Sequence, residues 1–172
     1  VRVTPTGLYD KESRVAQVAA GILGSVVRTR MAEDRDHAGC GFEALYGAGI
    51  VVCQVEFAKE EEAEKHIEIV KDQLVKLWKG ELHTDRETGG FDDAEQAAAY
   101  NSTGDFLSLA SLRANLPQQI AEYIQQTGDH NFIGKWMNAN QKVTPADVID
   151  YSAKWLTRER AVAMRVTAMT DD

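Results

Sequence analysis

The chain has 172 residues, about the length of one ordinary domain and enough to bury a hydrophobic core. Its 19 Lys and Arg against 27 Asp and Glu give a net charge of −8, which argues against nucleic-acid binding, because phosphate recognition concentrates basic side chains. Hydrophobic residues make up 44% of the chain, so the composition is that of a folded protein. No apolar run approaches the roughly 20 residues of a membrane span, and we expect no membrane contact.

The first residues carry neither an initiating Met nor a signal-peptide pattern. The chain opens at Val1 in what its pattern predicts to be a strand. We therefore expect residues 1–172 to form a single α+β domain excised from a longer, two-domain protein.

The first predicted helix carries apolar residues at the i, i+3, i+4, i+7 spacing of an amphipathic helix. Asp10 is a suitable N-cap, and the helix is expected to run to about Met31. Its apolar stripe is Val15, Val18, Ala19, Ile22, Leu23, Val26 and Val27.

Two extended segments follow, with apolar residues at alternate positions and glycines available for a turn between them. The apolar faces are Cys40, Phe42, Ala44 and Tyr46 in one segment and Val51, Cys53, Val55 and Phe57 in the other. Folding a hairpin at Tyr46–Gly47 places Cys40 opposite Cys53.

Two interpretations of this cysteine pair stay open. The favoured one treats Cys40 and Cys53 as small buried hydrophobic side chains, because free cysteine is often fully buried. The alternative is a disulfide, which needs a Cα separation below about 7 Å and indicates an oxidising compartment. Two cysteines are too few for a disulfide scaffold or a four-cysteine zinc site.

The next predicted helix has an apolar stripe and a Glu- and Lys-rich face on which we expect His66 to be exposed. The stripe consists of Ala63, Ile67, Val70, Leu74, Leu77 and Trp78. The acidic run Glu60–Glu62 is expected in the first turn of this helix, where negative charge is favoured by the helix dipole.

The second half begins with a polar connection over Gly80–Gly90 and is then predominantly helical in pattern. Predicted helices cover Asp92–Ala99, Phe106–Leu116, Pro117–Gln126 and Asn131–Asn140. Another starts at Thr144 as N-cap, with Pro145 at the first position and Asp147 three residues after the cap. The chain closes on a predicted strand, Ala161–Thr167. The fold class expected is α+β: two layers, with a mixed or antiparallel sheet covered by helices.

The chemistry-bearing residues do not assemble into a complete catalytic set. None of the four histidines has a second histidine three or four residues away, and no nucleophile or phosphate-loop motif is present. A metal cluster of His37, Cys40 and Cys53 lacks a fourth ligand, so we expect no metal ligand here. The chain is not a complete enzyme by itself, and we expect no catalytic residue and no cofactor in it.

Three stretches resemble one half-domain of the pitrilysin/insulinase family of zinc metallopeptidases. They are Ala20-Gly21-Ile22-Leu23-Gly24-Ser25, the basic-acidic stretch Thr29–Phe42 leading into a strand, and Val143–Val148 followed by Tyr151–Leu156. The resemblance covers nearly the whole chain. It implies paired halves around a chamber, one of which carries zinc on an H-x-x-E-H motif that is absent here.

The resemblance implies that this chain is the metal-free half, with zinc on a partner half in the same polypeptide or in a separate subunit. In the family, the metal-free half often contributes two residues to peptide binding: an Arg and, seven residues later, a Tyr. Here the pair is Arg35 and Phe42, so the hydroxyl is missing. Two other interpretations stay open: an exposed Arg35 paired with Glu33 or Asp36, and, as the favoured one for Phe42, a core side chain. Alternatives are an assembly subunit without peptidase activity, or an unrelated α+β binding module. Localisation stays open, with periplasmic and secreted locations both compatible.

Overall fold

The computed structural model describes the central helix, a small sheet and two further helices. The described residues are 2–3, 11–32, 37–45, 48–56, 62–81, 142–164 and 166, together with 121, 124–125, 128–131, 134–135 and 138–139. Within these residues, no helix is both long enough and apolar enough to cross a membrane. The predicted helices over 92–99 and 106–116 lie outside the described residues, as do most residues of the next two.

Three antiparallel-paired strands and three helices have described bounds, which confirms the α+β class. In chain order they are β1 (Arg2–Val3), α1 (Lys11–Ala32), β2 (His37–Leu45), β3 (Ala48–Glu56), α2 (Ala63–Trp78) and α3 (Pro145–Trp155), followed by a 3₁₀ turn at Arg158–Arg160. The strands lie in the order β1-β3-β2. Both α1 and the β2–β3 hairpin occur where the periodicity predicts them.

The register of the hairpin determines which residues face the helices. Cys40 lies opposite Cys53, as the symmetry about Tyr46–Gly47 predicts. Alternate residues from Ala38 to Phe42 pack towards the core, together with Val51, Cys53 and Val55 on β3. The intervening Gly39 and Gly41 pair with Gln54 and Val52 on the opposite face of the sheet.

Helix α1 lies between the sheet and the other two helices, because it packs against β2 on one side and against α2 and α3 on the other. Burial therefore extends beyond the predicted stripe to Ala16, Ala20 and Met31, each fully buried. Small residues allow this close packing on several sides of one helix. The predicted stripe is part of the core, except that Val26 is only half-buried.

Helix α2 buries a face that is rotated from the predicted stripe. Leu74 and Leu77 are buried as expected, but Ile67 is half-buried. His66 is 2% exposed, so the prediction that it lies on the charged surface is wrong. The reason is that α2 packs against both α1 and α3, and this widens its buried face to take in His66 and Gln73.

Helix α3 begins with the capping box that its sequence predicts. The Thr144 side chain accepts a hydrogen bond from the Asp147 backbone N–H, and the Asp147 side chain accepts one from the Thr144 backbone N–H. After the C-terminal end of α2, Gly80 has φ +69°, and a Cβ there would lie 2.9 Å from Cδ1 of Ile149 on α3. Glycine thus ends α2 in a left-handed conformation and leaves room for α3.

The last predicted strand does not join the sheet among the described residues. Val162, Met164 and Val166 are 87%, 86% and 81% exposed, and none of them is in a ladder. The prediction of a terminal strand from their alternation is therefore not met in the described part of the chain. The alternation describes side-chain polarity alone, and a strand also needs a neighbour with free backbone groups.

Candidate functional site

Arg35, Cys40 and Phe42 belong to one short region, residues 31–42, which we call the α1–β2 corner, while Cys53 lies on β3. The corner joins the last residues of α1 to the first half of β2. Arg35 lies in the connection 33–36, which is outside the described residues. Phe42 and Cys40 are described, and both lie on the face of β2 that packs against the core.

Phe42 lies on the core side of the sheet, where it packs against the buried cluster while remaining half-buried. The side chain lacks the hydroxyl that could donate a hydrogen bond to a substrate. In the described structure Phe42 therefore supports the position of β2 under α1, and it does not point to the open face of the sheet.

The backbone of α1 lies directly on β2 at the middle of the corner. A Cβ placed on Gly24 would be 2.9 Å from both the backbone nitrogen and the backbone oxygen of Cys40. Real Cβ atoms do not approach backbone atoms this closely, so only glycine fits here. Gly24 belongs to the phrase that carries the family resemblance, and the contact gives that glycine a physical reason.

Positive charge collects at the end of α1, next to the corner. Arg28 and Arg30 are both exposed there, and the Arg28 Nε–H donates a hydrogen bond to the backbone oxygen of Ala38 at 3.4 Å. Cations at a helix C-terminus are favoured by the partial negative charge of its free carbonyls. The Arg28 contact also joins the end of α1 to the start of β2, on both sides of the connection that contains Arg35.

Cys40 and Cys53 form a disulfide, with a Cα separation of 4.0 Å. The structure therefore agrees with the alternative interpretation, a disulfide. The favoured interpretation, two free buried thiols, is wrong. Because both sulfurs are bonded to each other, neither is a thiolate ligand for a cluster with His37. No group of three or more His, Cys, Asp or Glu among the described residues is placed to hold a metal ion.

The open face of the hairpin carries a shallow depression that the sequence analysis did not single out. Its volume is about 220 Å³, and it is lined by Gly39, Cys40, Gly41, Val52 and Gln54. A Cβ on Gly41 would meet no atom within 4 Å. The signal in the sequence was the pair of glycines inside a strand, where glycine is unfavourable.

Charged contacts hold the start of α1 against α3. Lys11 Nζ lies 2.8 Å from Asp147 Oδ1, and Lys154 Nζ lies 3.6 Å from Glu12 Oε1. The hydrogen bond from Lys11, followed by that from the Thr144 side chain, lowers the pKa of Asp147 from 3.8 to about 2. Asp147 thus stabilises both the N-terminus of α3 and the contact between the two helices.

This pKa predicts acid sensitivity with a defined sign. A carboxyl whose pKa is lower in the folded state stabilises the protein above about pH 4, and that stabilisation is lost as the pH falls towards 2. After allowance for solvent screening we expect about 1 kcal/mol from Asp147. Urea unfolding should show Asp147→Asn to be less stable than the wild type by this amount at pH 6 and nearly equal to it at pH 2. A difference that stays constant over this pH range would contradict the prediction.

A scan against models of known protein families finds no match, and a search of curated proteins finds none either. The likeness to zinc metallopeptidases is therefore carried by the quoted phrases alone. Ala20–Ser25 lies inside α1, and Thr144–Leu156 caps and forms α3. Of Thr29–Phe42, the described residues 29–32 end α1 and 37–42 belong to β2.

Proposed function

We propose that this chain is the metal-free half of a bipartite zinc metallopeptidase and forms one wall of its peptide-binding chamber. The partner half, in the same polypeptide or as a separate subunit, carries the zinc. When bound there, zinc activates a water molecule for attack on the peptide carbonyl. This chain binds and orients the peptide.

The observation that carries the proposal is the construction of the α1–β2 corner. Gly24 packs on the backbone of Cys40, and Arg28 donates a hydrogen bond to the backbone oxygen of Ala38. These two contacts join the end of α1 to the start of β2, on either side of the connection 33–36. A substrate-positioning arginine acts best when the elements on either side of it are rigid, because small misplacements reduce its effect. The packing of this corner therefore supports a positioning role for Arg35.

Arg35 would act on the peptide through its guanidinium group. Its N–H groups donate hydrogen bonds to a peptide carbonyl, and its charge is always present at physiological pH. The same charge favours the oxyanion that forms when the carbonyl is attacked. Phe42 has no hydroxyl and packs against the core, so this chain would contribute Arg35 without a second donor at that position.

An assembly subunit of the same fold without peptidase activity is the second candidate. The position of Phe42 favours it, since a side chain packed against the core has a structural role. In that case the corner would support the fold and the partner contact, and Arg35 would not contact a substrate.

Reconstitution tests the proposal directly. We expect the chain alone to show no proteolysis of a fluorogenic peptide, and zinc-dependent proteolysis to appear on mixing it with a zinc-bearing half. The zinc-bearing half assayed alone should be much less active. Robust zinc-dependent cleavage by this chain alone would refute the proposal.

Substitution of Arg35 separates the two candidate functions. Loss of a charged hydrogen-bond donor costs about 1.5–3 kcal/mol, so Arg35→Ala should lower kcat/KM of the assembled protein by roughly 10- to 100-fold, and Arg35→Lys by less. The matched control is Arg30→Ala, an exposed arginine on α1, which should leave turnover unchanged. Unchanged turnover in Arg35→Ala, with assembly verified by gel filtration, would favour the assembly subunit.

A further inference from the structure

The disulfide lies where the hairpin contacts the central helix. Cys40 and Cys53 are on the core-facing side of the sheet, and the backbone of Gly24 rests on the backbone of Cys40. No space for even a methyl group exists between α1 and this point of β2. A change in the bond between the two sulfurs therefore occurs directly under α1.

The hairpin does not depend on the disulfide for its register. Nine residue pairs join β2 to β3, from His37↔Glu56 to Leu45↔Ala48. The ladder extends to the pair Leu45↔Ala48, so the disulfide cross-links two strands that backbone pairing already joins. A reduced hairpin with native pairing is consequently an accessible state of this protein.

The disulfide is also reachable from outside the core. Both cysteines are half-buried, so part of each residue stays in contact with solvent. Thiol exchange needs such access to one sulfur.

We propose that the Cys40–Cys53 disulfide is a redox switch that controls how tightly α1 packs on β2. The thiolate of a small dithiol attacks one sulfur of the disulfide and forms a mixed disulfide, which releases the other cysteine as a thiolate. The second thiolate of the reagent then displaces the first cysteine and forms a new disulfide within the reagent. Two electrons pass to the protein, and two protons complete the Cys40 and Cys53 thiols.

Reduction changes the volume needed beneath α1. Two thiols must separate to non-bonded distance, whereas the disulfide holds its sulfurs at bonding distance. Gly24 lies against the backbone of Cys40, so a shift of that backbone as the sulfurs separate pushes α1 and β2 apart at this point. The connection 33–36 joins these two elements. An effect of the switch on Arg35 therefore rests on the proposed function, although the switch itself does not.

Hydrogen exchange on the isolated chain tests the switch without any activity assay. After treatment with dithiothreitol, alkylation should give two adducts per chain while the far-ultraviolet circular dichroism stays native. Amides of α1 around Gly24 should then exchange at least tenfold faster than in the oxidised protein. The matched control is the double variant Cys40→Ala/Cys53→Ala, which lacks both the bond and the bulky thiols and should stay within twofold of the oxidised wild type.

Three results would each overturn the switch. One is unchanged α1 exchange after complete reduction, and another is reduction that occurs only with loss of the native circular dichroism. The third is exchange in the alanine pair as fast as in the reduced wild type, because that would assign the effect to loss of the cross-link instead of crowding under α1. None of these results bears on the chamber proposal, since no partner half is present in the experiment.

Discussion

Replacement of Gly24 by alanine is expected to lower the free energy of unfolding by about 2 kcal/mol. Replacement by valine should lower it further. The added Cβ would lie 2.9 Å from the nitrogen and oxygen of Cys40, and these are backbone atoms that cannot rotate away. In an exposed helix the same change would stabilise by about 1 kcal/mol through helix propensity. The prediction is thus opposite in sign to what propensity alone gives. Urea unfolding monitored by circular dichroism measures it.

Gly41→Ala is the matched control, because the new Cβ meets no atom within 4 Å. In a strand, alanine is favoured over glycine by roughly 0.5–1 kcal/mol, so this variant should be as stable as the wild type or slightly more stable. Equal stability of Gly24→Ala and Gly41→Ala would show that α1 and β2 are farther apart than the described contact.

Truncation of Leu156 is expected to cost about 3 kcal/mol of unfolding free energy. Leu156 is fully buried at the C-cap of α3, and its backbone N–H donates to the oxygen of Ser152 at 2.8 Å. Leu156→Ala keeps this backbone bond but leaves a cavity, so the loss reports side-chain packing. The midpoint of urea unfolding should fall with little change in the slope of the transition.

Val162→Ala provides the comparison six residues further along the chain. Val162 is 87% exposed, and its truncation should change the unfolding free energy by less than about 0.5 kcal/mol. A loss as large as that of Leu156→Ala would show that the terminal segment pairs with the sheet in solution. That result would restore the strand that the alternation of residues 161–167 predicts.

The most local features of the fold were predictable from the sequence. Helix α1 follows from a regular apolar spacing, and the Cys40–Cys53 register follows from the symmetry of the two extended segments. The capping box at Thr144 is likewise a property of four consecutive residues. Each of these depends on interactions within a short segment, which sequence patterns represent well.

Features that depend on distant neighbours were not predictable in the same way. His66 is buried because two helices pack against α2, and no pattern within α2 records the second one. The oxidation of Cys40 and Cys53 could not be decided, since the same register suits two buried thiols. The contact between Gly24 and Cys40 joins residues 16 positions apart, and a glycine within a helix does not reveal what lies against it.

The position of α1 restricts where this domain can carry reactive groups. A sheet covers this helix on one side and two helices cover it on the other, so its middle is almost inaccessible to solvent. Val18, Ile22 and Val27 are almost completely buried there. A polar or ionised group introduced there would lose its hydration without gaining a partner. New binding chemistry can therefore be added to the periphery, at the helix ends and on the outer face of the hairpin, while the centre must stay apolar for the domain to remain folded.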